Sequence, residues 1–178
     1  MGHQLSDLIE GCDGPQEERI GQVLHPVQRW VATAQKVSHD RRPEWIADEY
    51  WTKTRQKFLG GTSVDLIDAA ANAYDSVAGT LGFMVLAQCH PQPDQVCPAG
   101  TFTASVNGPI GPQVQLCPDW LNERDLDRQA ILMLIEMLGN AGVQDKQARQ
   151  KHAEMAKQLF TDLEAAPSLE EILGKAKP

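Results

Sequence analysis

The chain has 178 residues and 42% hydrophobic side chains, enough to bury a core without metal or cross-links and too apolar for a wholly disordered protein. Its 24 acidic and 16 basic residues give a formal net charge of -8, which repels phosphate backbones and argues against nucleic acid as a partner. No apolar run approaches the ~18 residues of a membrane span, and Met1-Gly2-His3-Gln4-Leu5-Ser6-Asp7 lacks the basic and apolar regions of a secretory signal peptide, so a cytoplasmic protein is expected.

Residues 1–15 carry Gly, Asp and Ser with little periodicity and read as a flexible arm, leaving 16–178 as one domain. From Glu17 to Asp40, Ile20, Val23, Leu24, Val27, Trp30, Val31, Ala34 and Val37 recur at helical spacing, which predicts an amphipathic helix, kinked or restarted at Pro26. A second helix is predicted from Pro43 to Phe58, with Trp45, Ile46, Tyr50 or Trp51, Thr54 and Phe58 inward and Gly60-Gly61 ending it. The basic clusters around it, Arg41-Arg42 and Lys53/Arg55/Lys57, sit among acidic residues and read as a solvated face. Thr62 or Ser63 can cap a third helix that runs through Leu66, Ala70, Tyr74, Val77, Leu81 and Val85.

Beyond a Pro-rich loop at 90–96 the period changes to two. Thr101–Val106 and Gln113–Cys117 read as a small hairpin or a pair of edge strands. A fourth helix from about Glu123 to Leu138 is apolar on nearly every side, the mark of a central buried helix, and carries one carboxylate, Glu136. Gln144–Leu163 forms a charged amphipathic helix, and Ser168 with Glu171 is a capping box for a short last one.

The four cysteines, Cys12, Cys89, Cys97 and Cys117, show no C-x-x-C pair and do not read as a disulfide framework. Cys89 and Cys97 flank the Pro-rich loop and can close it, or all four are free thiols in a reducing compartment. No G-x-S-x-G, phosphate-binding or dinucleotide motif is present.

The strand Val114-Gln115-Leu116-Cys117-Pro118, the helical Ile135-Glu136-Met137-Leu138-Gly139 and the following Gly142-Val143-Gln144-Asp145 resemble a known arrangement. In deuterolysin-type zinc endopeptidases (aspzincins, lysine-specific metallo-endopeptidase-like proteins) and related toxin-associated domains, an edge strand ending in L-C-P leads to an H-E-x-x-H helix. A G-T-x-D aspartate follows it. The similarity covers roughly residues 69–163 and implies a mostly α-helical α+β zincin-like domain, with the hairpin beside the central helix.

The departures carry the functional expectation. Two imidazoles one turn apart hold zinc in that family, and the intervening Glu activates water. Here their places are taken by Ile135 and Gly139, which offer no lone pair. Of the five histidines, His3, His25, His39, His90 and His152, no two are three or four residues apart. His90 reads as a loop residue, and Glu136 reads as structural, paired with an Arg or with backbone amides.

The resemblance therefore implies a catalytically inactive metallopeptidase-like protein, with no bound metal or other cofactor, that acts by binding another protein, one with a basic surface. Its implied context is a bacterial secretion or toxin system with a dedicated export route. The alternative is an active metal-dependent hydrolase, with Glu136 as general base and zinc held by Asp145 and His152. A second alternative is a helical adaptor or immunity-type protein.

Overall fold

The computed structural model describes residues 8–39, 53–61 and 63–165. In chain order the elements are β1 (Ile9–Glu10), α1 (Gly14–Ser38), α2 (Lys53–Leu59), α3 (Val64–Phe83), β2 (Ala87–Cys89), β3 (Thr103–Asn107), β4 (Pro112–Leu116), α4 (Pro118–Leu121), α5 (Leu126–Asn140) and α6 (Lys146–Ala165). This is the expected mostly helical α+β fold.

Helix α1 starts earlier than its apolar stripe implies. Asp13 accepts from the Gln16 amide at 2.8 Å while Gln16 Oε1 accepts from the Asp13 amide at 2.9 Å, a reciprocal capping box. Pro26 neither breaks nor restarts the helix. Its missing amide costs one intrahelical bond, but Val23, Leu24, Val27, Trp30 and Val31 are all buried around it, and their packing holds the helix continuous.

Ser63 caps α3 by accepting from the Leu66 amide. In α2, Thr54 and Phe58 face inward as expected, but Arg55 is also buried, with Nη2 donating to the Val37 carbonyl at 3.0 Å, instead of lying on a solvated face. The rest of the second predicted helix, with Trp45, Ile46, Tyr50 and Trp51, lies outside the described residues, as do Arg41, Arg42 and the Ser168–Glu171 box.

The sheet holds four strands in the order β1-β2-β4-β3, with β1, β2 and β4 parallel and β3 antiparallel to β4. The predicted hairpin is present, but β4 is an interior strand and only β3 of the pair lies at an edge. Residues 8–15, read as part of a loose arm, instead supply β1, the α1 cap and a cross-link from Cys12.

The cysteine reading is also corrected. Cys12 pairs with Cys89, Cys97 pairs with Cys117, and no cysteine is free. The parallel ladder is the cause: it brings the C-terminal ends of β1, β2 and β4 side by side, and Cys12, Cys89 and Cys117 stand at or just beyond those ends.

Helix α5 is central, packing on α1, α3, α6, β3 and β4. Its buried face includes Ala130, Met133, Leu134, Met137 and Leu138, while Ile131, Leu132, Ile135 and Glu136 are half-buried. At its start Gln129 and Trp120 bond each other's backbone carbonyls at 2.9 and 3.0 Å, and Gln129 also accepts from Arg19 at 2.6 Å, so this polar group costs little inside the core.

Candidate functional site

The seam between α5 and β3 is where the H-E-x-x-H likeness directs attention. Successive side chains of a strand alternate between faces, and on β3 Thr103 and Ser105 both turn toward α5. Thr103 Oγ1 donates to Glu136 Oε1 at 3.1 Å, and the Ser105 hydroxyl donates to Asn140 Oδ1, one helical turn further on. The partner of Glu136 is thus a strand hydroxyl, not the Arg or backbone amides expected. The carboxylate fastens an edge strand to the central helix.

Gly139, at the place of the second histidine, is closed off. A Cβ added there would meet Arg149 Nη1 at 2.7 Å and Cζ at 2.8 Å. The guanidinium cannot simply swing away, because Nε donates to the Val143 carbonyl at 2.6 Å and Nη2 to the Gln144 carbonyl at 3.2 Å. A zinc centre at this seam therefore does not fit the residues present: Ile135 and Gly139 cannot ligate, and a fixed cation fills the space beside the helix where an imidazole would project.

The remaining candidates do not join Glu136. Asp145 is exposed and caps α6, accepting from the Gln147 and Ala148 amides at 3.4 and 3.1 Å. His152 is buried two turns later, with Nδ1–H donating to the Ala148 carbonyl at 2.5 Å and the Tyr74 hydroxyl donating to the His152 carbonyl at 2.8 Å. Burial pulls the His152 pKa down, opposed by the Ala148 contact, and burial pushes the Tyr74 phenol up. Asp145 and His152 line one cavity of about 520 Å³ with Phe58, Leu66, Asn72 and Lys151; Glu136 is not among its lining residues.

The outer side of β3 was not anticipated. Val114 N and Leu116 O are spent on the β2 side of β4, bonding Leu86 O and His90 N. The residues opposite them, Ser105 and Thr103, therefore turn their own backbone groups to the outer edge. From Val96 to Pro118 no side chain is charged, and Ser105, Val106 and Asn107 are exposed. Edge strands usually carry charges or proline against unwanted pairing; this one carries neither. Phe83 and Ile110, 83% and 71% exposed, line a separate cavity of about 340 Å³ with Leu86, Pro112 and Met137, between the end of α3, the hairpin turn and β4. The uncharged run was the available sequence signal.

A third cluster lies at the sheet's disulfide end. His90 Nδ1 contacts Asp94 Oδ2 at 2.5 Å and His90 Nε2 contacts Gln115 Oε1 at 2.6 Å. Burial lowers the His90 pKa, but the Gln115 and Asp94 hydrogen bonds and the Asp94 charge outweigh it, and the net shift is upward. Asp94 is held low, chiefly by the Cys97 amide and then by His90. His90, Asp94 and Cys97 form the only His/Cys/Asp/Glu group at metal-ligand separation among the described residues. In the disulfide form Cys97 has no thiolate to offer. Comparison with protein-family models, with curated proteins and with solved structures finds no match to this chain.

Proposed function

We propose that the protein is a catalytically inactive, metallopeptidase-like scaffold that acts by binding another protein along the outer edge of β3. The observation that carries the reading is Arg149, whose guanidinium occupies the space beside Gly139 and is fixed there by two backbone carbonyls. Where a hydrolase needs an open metal position, this chain has a side-chain cation and a Glu136 engaged by Thr103.

Protein binding is supported by the uncharged edge strand with unspent backbone groups and by the exposed apolar hollow at Phe83 and Ile110 near the hairpin turn. These suit strand addition, in which main-chain hydrogen bonds supply affinity and a pocket reads a side chain. The partner's inserted segment is extended and uncharged, and the net charge of -8 favours basic residues around it. Two disulfides suit an oxidising compartment better than the cytosol, so the working location is extracytoplasmic.

The deciding experiment is elemental analysis and a peptidase assay on the oxidised protein, purified without a metal-binding tag and supplied with zinc. Neither bound zinc nor hydrolysis is expected, and Ile135→His/Gly139→His is expected to remain metal-free while Arg149 is present. Stoichiometric zinc that survives His90→Ala, together with hydrolysis abolished by Glu136→Gln, would establish the working hydrolase instead. For the binding half, an uncharged extended peptide is titrated by fluorescence anisotropy. Val106→Lys should weaken it at least about tenfold, since a charge on the edge opposes pairing; equal affinity would remove β3 from the reading.

A further inference from the structure

We propose that the reduced form of Cys97 and Cys117, together with His90 and Asp94, is a tetrahedral zinc site, so that zinc and the disulfide compete for the same two sulfurs. This is independent of the reading at Glu136, which takes no part in it.

The donor atoms of His90, Asp94 and Cys97 all lie within 4.8 Å of one another, and the fourth, Cys117 Sγ, is bonded to Cys97 Sγ. Two thiolates, one imidazole and one carboxylate make a donor set that zinc accepts, and four ligands close a structural site. The surroundings already orient each donor. Gln115 is 1% exposed, and its Nε2 donates to Gln113 Oε1 at 3.2 Å, which turns its oxygen toward His90 Nε2. That oxygen requires a proton on Nε2 and leaves Nδ1 facing Asp94; a hydrogen bond on the far nitrogen is what aims a ligating histidine. Asp94 Oδ1 accepts from the Val96 and Cys97 amides at 2.8 and 2.7 Å, which leaves Oδ2 for the cluster.

In the disulfide form the proton shared by His90 Nδ1 and Asp94 Oδ2 stands in for the metal. A dithiol or phosphine reductant supplies two electrons: the S–S bond breaks, two S–H bonds form and the reductant is oxidised. Zinc then displaces both thiol protons and the Nδ1 proton, all three passing to solvent. Both sulfurs are fully buried, His90 is half-buried and Asp94 is exposed, so the ion enters and leaves on the Asp94 side. The Cys12–Cys89 bridge is an internal control, since no such ligand group forms around it among the described residues. Under reducing conditions zinc holds the β2–β3 loop against the end of β4 until oxidation replaces it.

The test uses the full chain, oxidised and reduced, titrated with Co2+ alone and then with zinc against a chromogenic chelator. One equivalent of Co2+ with tetrahedral d–d absorption and thiolate charge transfer is expected for the reduced chain, and none for the oxidised one. Cys12→Ser/Cys89→Ser should keep the site and Cys97→Ser/Cys117→Ser should lose it. His90→Ala and Asp94→Asn should each weaken it at least about tenfold, and Gln115→Leu about 10–100-fold by removing the hydrogen bond that orients His90. Absence of binding by the reduced chain, folded or unfolded, overturns the proposal. So does equal binding by the oxidised chain, or unchanged affinity in either His90→Ala or Asp94→Asn.

Discussion

Two regions of this molecule concentrate ligand-type residues, and they have been settled in opposite ways. At the α5–β3 seam a carboxylate lies on a helix where a likeness in linear order points to a metal site, but its neighbours are Thr103, a glycine and a captive guanidinium. At the ends of β2 and β4 no motif marks a site, yet His90, Asp94 and two sulfurs converge. Likeness in linear order says which residues stand at a place; only three-dimensional wiring says whether a lone pair there is still available.

The largest effects should come from the cross-links that hold the second region together. The Cys12–Cys89 bridge spans 77 residues and Cys97–Cys117 spans 20. By loop-closure entropy the first is worth about 4–5 kcal/mol and the second about 3 kcal/mol. Urea denaturation of Cys12→Ser/Cys89→Ser and Cys97→Ser/Cys117→Ser should therefore show the larger loss for the first pair. The reverse order would place the main cost in local packing instead of chain entropy.

The seam is tested next. Gly139→Ala gains about 1 kcal/mol of helix propensity but drives Cβ to 2.7 Å from Arg149 Nη1 and displaces its two carbonyl bonds. Hydrogen bonds from charged donors contribute about 1.5–3 kcal/mol each, less where exposed, so a net loss of about 1 kcal/mol is expected. Adding Arg149→Ala should convert that loss into a relative gain, and a double-mutant cycle reads the coupling directly. Additivity would mean that the guanidinium does not fill the space.

The contrast also marks what the sequence could tell. Helical periodicity located the stripe of α1, the inward Thr54 and Phe58 of α2, the Ser63 cap and the apolar α5, because each signal is local. Strands β1 and β2 are two and three residues long and pair in parallel with partners far along the chain, so no local pattern announces them. The disulfides followed them out of view, since their pairing depends on that ladder. Arg149 escaped notice because its approach to Gly139 is made by the turn from α5 into α6. A glycine inside a strong helix is a cue for close approach, but the cue does not say which side chain approaches Gly139.

His152, buried, and His90, half-buried, should give opposite pH slopes. His152 is held neutral by burial, so it contributes stability that is present above its unfolded pKa near ~6.5 and is lost as pH falls through the depressed folded value. His90 is held charged by Gln115 and Asp94, so its contribution is complete below ~6.5 and is lost as pH rises through the raised folded value. Urea denaturation across this range should show His90→Gln steepening the rise of stability with pH, and His152→Phe tilting the curve the other way. The slopes, not the offsets, carry the result; matching slopes in the two variants would show that either the burial of His152 or the hydrogen bonding of His90 is wrongly assigned.

The smallest expected effect is the most discriminating for function. Glu136→Gln keeps the shape of the side chain and an oxygen that can still accept from Thr103 Oγ1, so stability should fall by no more than about 0.5 kcal/mol. Glu136→Ala leaves the strand hydroxyl without that acceptor and should cost about 1 kcal/mol, and a cycle with Thr103→Val should assign most of it to this pair. A structural carboxylate moves with Thr103 and leaves partner binding nearly unchanged in the Gln variant. A catalytic one shows the reverse, with folding intact and activity gone.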